Sequence, residues 1–192
     1  MYSQKTEIKT IDNKTIKSII IKGDAIFKIK TKTTKTNIIT IISKIEGEEA
    51  QNTTIINEIK NDTLLISSAY KTFLEKNNDK LSAHKQLSIE VSIEIPEHLY
   101  LSFKSKIASA EVTGKYKQLI VELNQGNVNI NNFYGNAIIN TINGNISIET
   151  NYANITALTK TGKINMEDIV KAKNEIIIHS INGNINIFKT KK

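Results

Sequence analysis

Three acidic side chains, three histidines and a row of tyrosines are the residues whose type and spacing could do chemistry in this sequence. Glu149 and Glu167 each stand five residues after a glycine, Gly144 and Gly162, and Asp168 follows directly. If consecutive repeats stack, these carboxylates lie about 5 Å apart, the separation used by retaining glycosidases. The same pair could hold Ca²⁺. The flanking columns supply only Asn, Ser and Thr, with no aromatic or basic platform for a sugar, so a solvated surface pair is expected. His84, His98 and His179 are scattered without metal-ligand spacing. There is no Cys, no G-x-S-x-G elbow and no phosphate-cradling loop. The expectation is therefore a non-enzyme with no catalytic residue, no cofactor and no metal. Tyr116, Tyr134 and Tyr152 recur every 18 residues. They are expected to pack as core at a turn edge, or, if exposed, to offer a stacking surface to sugar rings.

The elements that would position these residues come from an internal repeat. GNVNI, GNISI, GKINM and GNINI begin at Gly126, Gly144, Gly162 and Gly183, glycines spaced 18, 18 and 21 residues apart. A further step of 18 backwards reaches Ala108, in ASAEV. Counted from these anchors, the columns are coherent. Seven residues before stand Leu101, Leu119, Ala137, Ile155 and Ile176, and five before stand Phe103, Val121, Ile139, Ala157 and Ile178. Two after come Ala110, Val128, Ile146, Ile164 and Ile185, and four after come Val112, Ile130, Ile148, Met166 and Ile187. Polar residues fill the places between. Alternate side chains of a strand face opposite ways, so each unit supplies two short strands with one apolar edge.

One such unit cannot bury its edge, but stacked copies can. The expected fold is all-β: a short parallel β-solenoid of about five coils over 96–188, taken in sequence order. Ala137 would then lie between Leu119 and Ile155, and Ala157 between Ile139 and Ile178. Asn-Gly at Asn143 and Asn182 is expected to turn the corners through left-handed conformations. An up-and-down meander with type I′ hairpins is the competing architecture. The three extra residues near Ile169–Asn174 are expected to bulge outward.

Residues 8–95 show alternation without that register. IKSIIIKGDAIFKIKTKT predicts a hairpin across Gly23-Asp24, and turns are expected at Glu46–Asn52 and at Asn61-Asp62. Residues 71–86 are expected as an exposed loop, and Pro96 ends the last strand of this half. These N-terminal strands should cap one end of the stack, because an open end exposes unpaired edges. The last strand and its Lys-rich tail should blunt the other. The whole of 1–192 is expected to be one domain.

Charge narrows the partners. The net charge of +7 comes from 26 basic residues, all Lys. Arg, the side chain that grips phosphates and guanine edges in pairs of hydrogen bonds, is absent. The excess is local, with nine Lys against three acids in residues 1–35 and 17 against 16 elsewhere. Nucleic acid is not an expected partner. No run approaches the roughly 20 apolar residues of a membrane span, and MYSQKTEIKT lacks the apolar centre of a leader. A chain whose leader had been trimmed would begin the same way.

The lead-in IEIPEHLYLSFKS, followed by repeated G-N-[IV]-x-[IM] units, resembles the auto-transporter adhesin head (GIN-type) domains and related β-strand-repeat domains of bacterial envelopes. The opening IKTIDNKTIKSIIIKGDAIFKIK is similar to their first strand pair. This resemblance implies a right-handed β-helix-like fold, a periplasmic, cell-surface or secreted location and a non-catalytic role, with no ligand residues to carry over. The expected function is an adhesin-like binding module that presents a flat Asn- and Lys-rich face to glycan, envelope polymer or another protein. A structural or signalling scaffold acting through its sheet edges is the alternative, and a glycan-active β-helix enzyme a third.

Overall fold

The computed structural model describes residues 4–70 and 87–190, and within them the chain is all β, with one short 3-10 turn and no α-helix. Fifteen strands join one continuous, curled sheet. They are β1 (Gln4–Asp12), β2 (Ser18–Lys22), β3 (Lys28–Thr34), β4 (Ile38–Gly47), β5 (Thr53–Lys60), β6 (Thr63–Tyr70), β7 (Leu87–Pro96) and β8 (Tyr100–Ser105). Then follow β9 (Ser109–Gln125), β10 (Val128–Asn143), β11 (Ile146–Glu149), β12 (Tyr152–Thr159), β13 (Ile164–Met166), β14 (Val170–Asn182) and β15 (Ile185–Phe188). The expected loop at 71–86 lies outside the described residues.

The sheet runs as two strips that share one apolar core. One is ordered β5-β6-β2-β8-β9-β10-β14-β12, the other β1-β4-β7-β3-β9-β10-β11-β15-β13. The long strands β9 and β10 belong to both, bending at Gly114 (φ 115°) and Gly135 (φ 141°). A side chain at Gly135 would also strike the Tyr116 carbonyl, 2.1 Å from an added Cβ. The repeat columns line the interior. Val121, Ile139 and Ile178 pair in one strip, and Val128, Ile146 and Ile185 in the other, all without exposure. Every pairing among β8 to β15 is parallel. A meander would have paired them antiparallel.

The order of the repeats departs from the order of the sequence. β14 and β15, the last unit, sit between the units of Gly144 and Gly162: β14 pairs with β10 and β12, and β15 with β11 and β13. Ala137 therefore lies between Leu119 and Ile176, not Ile155, and Ala157 has only Ile178 beside it. The glycines report the same order. An added Cβ would fall 2.0 Å from the Ala108 oxygen at Gly126, 2.0 Å from Gly126 O at Gly144, 2.0 Å from Gly144 O at Gly183, and 1.9 Å from Gly183 O at Gly162. Of these four, only Gly126 has positive φ (128°), and neither Asn143 nor Asn182 does. The corners need glycine mainly because one backbone rests on the next. The three extra residues are the return step: Ile169 packs against the core and Asn174 is buried.

The N-terminal half also corrects its expectation. β2 and β3 form no hairpin; the Gly23-Asp24 turn is a corner between the strips. Ile19 and Ile21 pair in parallel with Leu101 and Phe103, and Ile29 with Ala110, so this unit extends the columns. It too is intercalated, between β6/β7 and β8/β9. The hairpin of this half is β5–β6, turning at Asn61 (φ 55°).

The two ends of the sheet differ. At the N-terminal end, Lys5 Nζ donates to the Thr53 carbonyl (3.2 Å) and Lys9 Nζ to that of Ile55, tying β1 to β5 across the gap between the strips. At the other end stand β12 and β13, with no strand beside them among the described residues. β15 and its tail do not blunt this end, because β13 lies outside them.

Candidate functional site

The acidic pair is separated by the intercalated strand. Glu149 on β11 pairs with Phe188 on β15, and Glu167 follows β13 on the far side of β15. Two inter-strand steps put them about 9–10 Å apart instead of one step. Glu167 Oε2 accepts the Lys189 N–H at 2.7 Å. The spacing that suggested a retaining glycosidase is not formed, and no group of three His, Cys, Asp or Glu gathers among the described residues. His98 has φ 65° and lies 3.9 Å from Glu97, His179 pairs beside Leu158 and Asn140, and His84 lies outside the described residues.

The tyrosine ladder breaks. Asn132 (φ 48°) and Gly135 shift the register, so Tyr134 pairs with Lys115 while Tyr116 stacks on Phe133 with ring centroids 6.0 Å apart. Tyr116 is buried and shares a 3.0 Å hydrogen bond with Thr31. Burial pushes its phenol well above the ordinary range, against that hydrogen bond. Tyr134 and Tyr152 are exposed.

The amide columns are occupied by the stack itself. Asn127 Oδ1 accepts the Asn145 N–H (2.9 Å), Asn145 Oδ1 that of Asn184 (2.8 Å) and Asn184 Oδ1 that of Lys163 (2.9 Å). Asn182 donates to Asn143 at 2.8 Å and Asn165 to Asn186 at 2.9 Å. Amides used this way stiffen the sheet and have fewer groups left for a ligand. A second polar column went unnoticed in the sequence: Ser105, Thr141, Thr159 and Ser180, each three before its anchor. Their hydroxyls satisfy the corner, as where Ser105 Oγ donates to Gly23 O (2.7 Å) and accepts the Ala108 N–H (3.1 Å). Leu123 interrupts the column, which hid it.

The surface that remains unsatisfied is apolar. On the outer side of the first strip, Ile120, Ile138 and Ile177 pair in one half-exposed row. Ile142 (41 % exposed) and Ile181 (44 %) form a second. Between the rows lie Asn140 and His179, and a shallow groove of about 350 Å³ opens beside Ile142, His179 and Ile181. The Lys104–Glu122 ion pair (3.2 Å) borders it. Isoleucines in register in two outward rows expose apolar area of the kind that marks contact surfaces. Strand alternation is the signal that marks these isoleucines as outward-facing.

Among the described residues, an all-β chain built on two strips of mostly parallel strands is the class these observations define. No protein-family model matches the chain, and no curated protein matches it. Among solved structures, it is similar to a "putative cell adhesion protein" from Clostridium sporogenes, with 19 % identity, a TM-score of 0.62, and coverage of 98 % of this chain and 100 % of that one. A "putative adhesin" from Bacteroides fragilis aligns with 11 % identity and a TM-score of 0.39 over 95 % of this chain and 97 % of that one. A "putative lipid binding protein" from Parabacteroides distasonis aligns with 14 % identity and a TM-score of 0.30 over 97 % of each. The first likeness is one of fold; the other two carry no weight. No helix among the described residues is long and apolar enough to cross a membrane.

Proposed function

We propose that this chain is a non-catalytic, adhesin-like binding module of the bacterial envelope, a single-domain, short right-handed parallel β-helix of the GIN type. The parallel, in-register columns support the β-helix, and both strips run without interruption from β1 and β5 to β13 and β12, which supports one domain. The resemblance of its repeats to envelope domains and its likeness in fold to a "putative cell adhesion protein" support the role and the location.

The observation that carries the binding role is the outward double row of isoleucines. The amide face is largely engaged with itself, so the isoleucine face is the better surface for a partner, and a protein or an amphipathic envelope polymer suits it better than a free sugar. The test is binding of the labelled chain to whole cells, purified envelope polymers and a glycan array. Ile142→Lys with Ile181→Lys should abolish binding, while Asn129→Ala, at an exposed position of β10 in the other strip, leaves it unchanged. Equal binding by the isoleucine variant would sink the assignment of this face. Fractionation that finds the native protein only in the cytoplasm would sink the location.

A further inference from the structure

We propose that the chain forms a two-fold dimer through the open end made by β12 and β13. Along a parallel strand the backbone groups alternate between the two sides. On the β13 segment, the Lys163 carbonyl and Glu167 N–H are used by Ile185 and Ile187, so the groups of Ile164 and Met166 face away from the stack. On β12, the Lys160 N–H bonds to Ser180 O, and the same alternation turns the groups of Ile155 and Ala157 outward.

The side chains of these four residues lie in the interior columns. Ile164 (43 %) and Met166 (57 %) are exposed although Ile185 and Ile187, their partners in register, are 0 % exposed. The difference is that the channel stops. A concavity of about 400 Å³ opens there, lined in part by Ile155, Met166 and Ile169.

What fits this edge is the same edge turned over. Lys163-Ile164-Asn165-Met166-Glu167 is close to its own mirror about Asn165. An antiparallel β13 from a second copy, centred there, sets Ile164 opposite Met166 as a mutually hydrogen-bonded pair. It also sets Lys163 opposite Glu167, twice in the dimer. β12 behaves likewise about Thr156, setting Ile155 against the smaller Ala157. The apolar channel would then continue from one copy into the other. Head-to-tail addition is opposed at the far end, where Lys5 and Lys9 lie across the gap between β1 and β5. The contact is therefore closed and isologous.

The test is sedimentation of the full chain across a concentration series. A dimer is expected. Lys163→Glu and Glu167→Lys should each weaken it about tenfold, because like charges then face each other at both symmetry-related positions. The double exchange K163E/E167K should restore it. Circular dichroism melts check that each variant folds. In the wild type, hydrogen exchange should show the Ile155, Ala157, Ile164 and Met166 amides gaining protection as concentration rises, which needs no variant. Ile142→Lys with Ile181→Lys should leave the dimer intact, which separates this contact from the isoleucine face. A monomer at every concentration, a double exchange that fails to rescue, or growth beyond two copies would overturn the proposal.

Discussion

The α-carbon of Gly183 rests against the carbonyl oxygen of Gly144 so closely that a Cβ on Gly183 would lie 2.0 Å from it. Gly183 is glycine because of that contact and not because of its φ. Gly183→Ala should therefore cost about 1–3 kcal/mol, the usual penalty for overpacking, since the obstacle is backbone and cannot rotate away. Gly23→Ala, whose nearest contacts are 3.3 Å, should cost less. Urea unfolding of the two variants checks the difference; equal midpoints would refute it.

Removal of the C-terminus reports the order of the repeats. Truncation after Lys173 deletes most of β14 and all of β15, the strands that join β12 and β13 to the rest. Residues 152–166 should then lose amide protection along with the deleted part. Stacking in sequence order would predict that they keep it, so exchange measured on the truncated chain separates the two.

Tyr116 should give the protein an alkaline limit. Its buried phenol titrates above its ordinary value of 10.0. Stability is therefore intact below pH 10 and declines as pH rises from there towards the folded value. Tyr116→Phe should remove that decline, at a cost of about 1 kcal/mol near neutrality for the hydrogen bond to Thr31. Denaturant titrations between pH 7 and about 11 test this. Absorbance should also show one of the six tyrosines ionising only on unfolding.

At the acid side, the Lys30 ammonium 2.7 Å from Glu90 hydrogen-bonds to the carboxylate and holds its pKa below the ordinary 4.5, against the effect of burial. The contribution is present above pH 4.5 and is lost as pH falls through the lowered value. Glu90→Gln should cost no more than about 1 kcal/mol at neutral pH, because the pair is partly solvated. It should also flatten the fall in stability below pH 4.5. Melting curves of the two proteins at pH 7 and at acid pH would show the gap closing; a gap that is constant with pH would refute it.

The apolar columns were legible because burial leaves a period in the sequence, and Val121, Ile139 and Ile178 stand in register as counted. Their order was not legible. Ile155 and Ile176, and likewise Ile164 and Ile185, are the same residue at equivalent positions, so exchanging the last two units buries nearly the same surface. Gly23-Asp24 misled for a similar reason: a tight turn and a corner between strips favour the same residues. The tyrosine ladder failed at Asn132 and Gly135, where the register shifts and displaces Tyr134 from Tyr116, and again with the order, since Tyr152 pairs with Val170. The carboxylates failed with the order, since Phe188 occupies the place beside Glu149 that Glu167 was expected to fill.

A polypeptide leaves the ribosome N-terminus first, and here β12 and β13 are made before β14 and β15, the strands they dock on. While residues 175–188 are still being synthesised or threaded, β12 and β13 have nothing to dock on. The places beside β10 and β11 must stay open until β14 and β15 arrive to fill them.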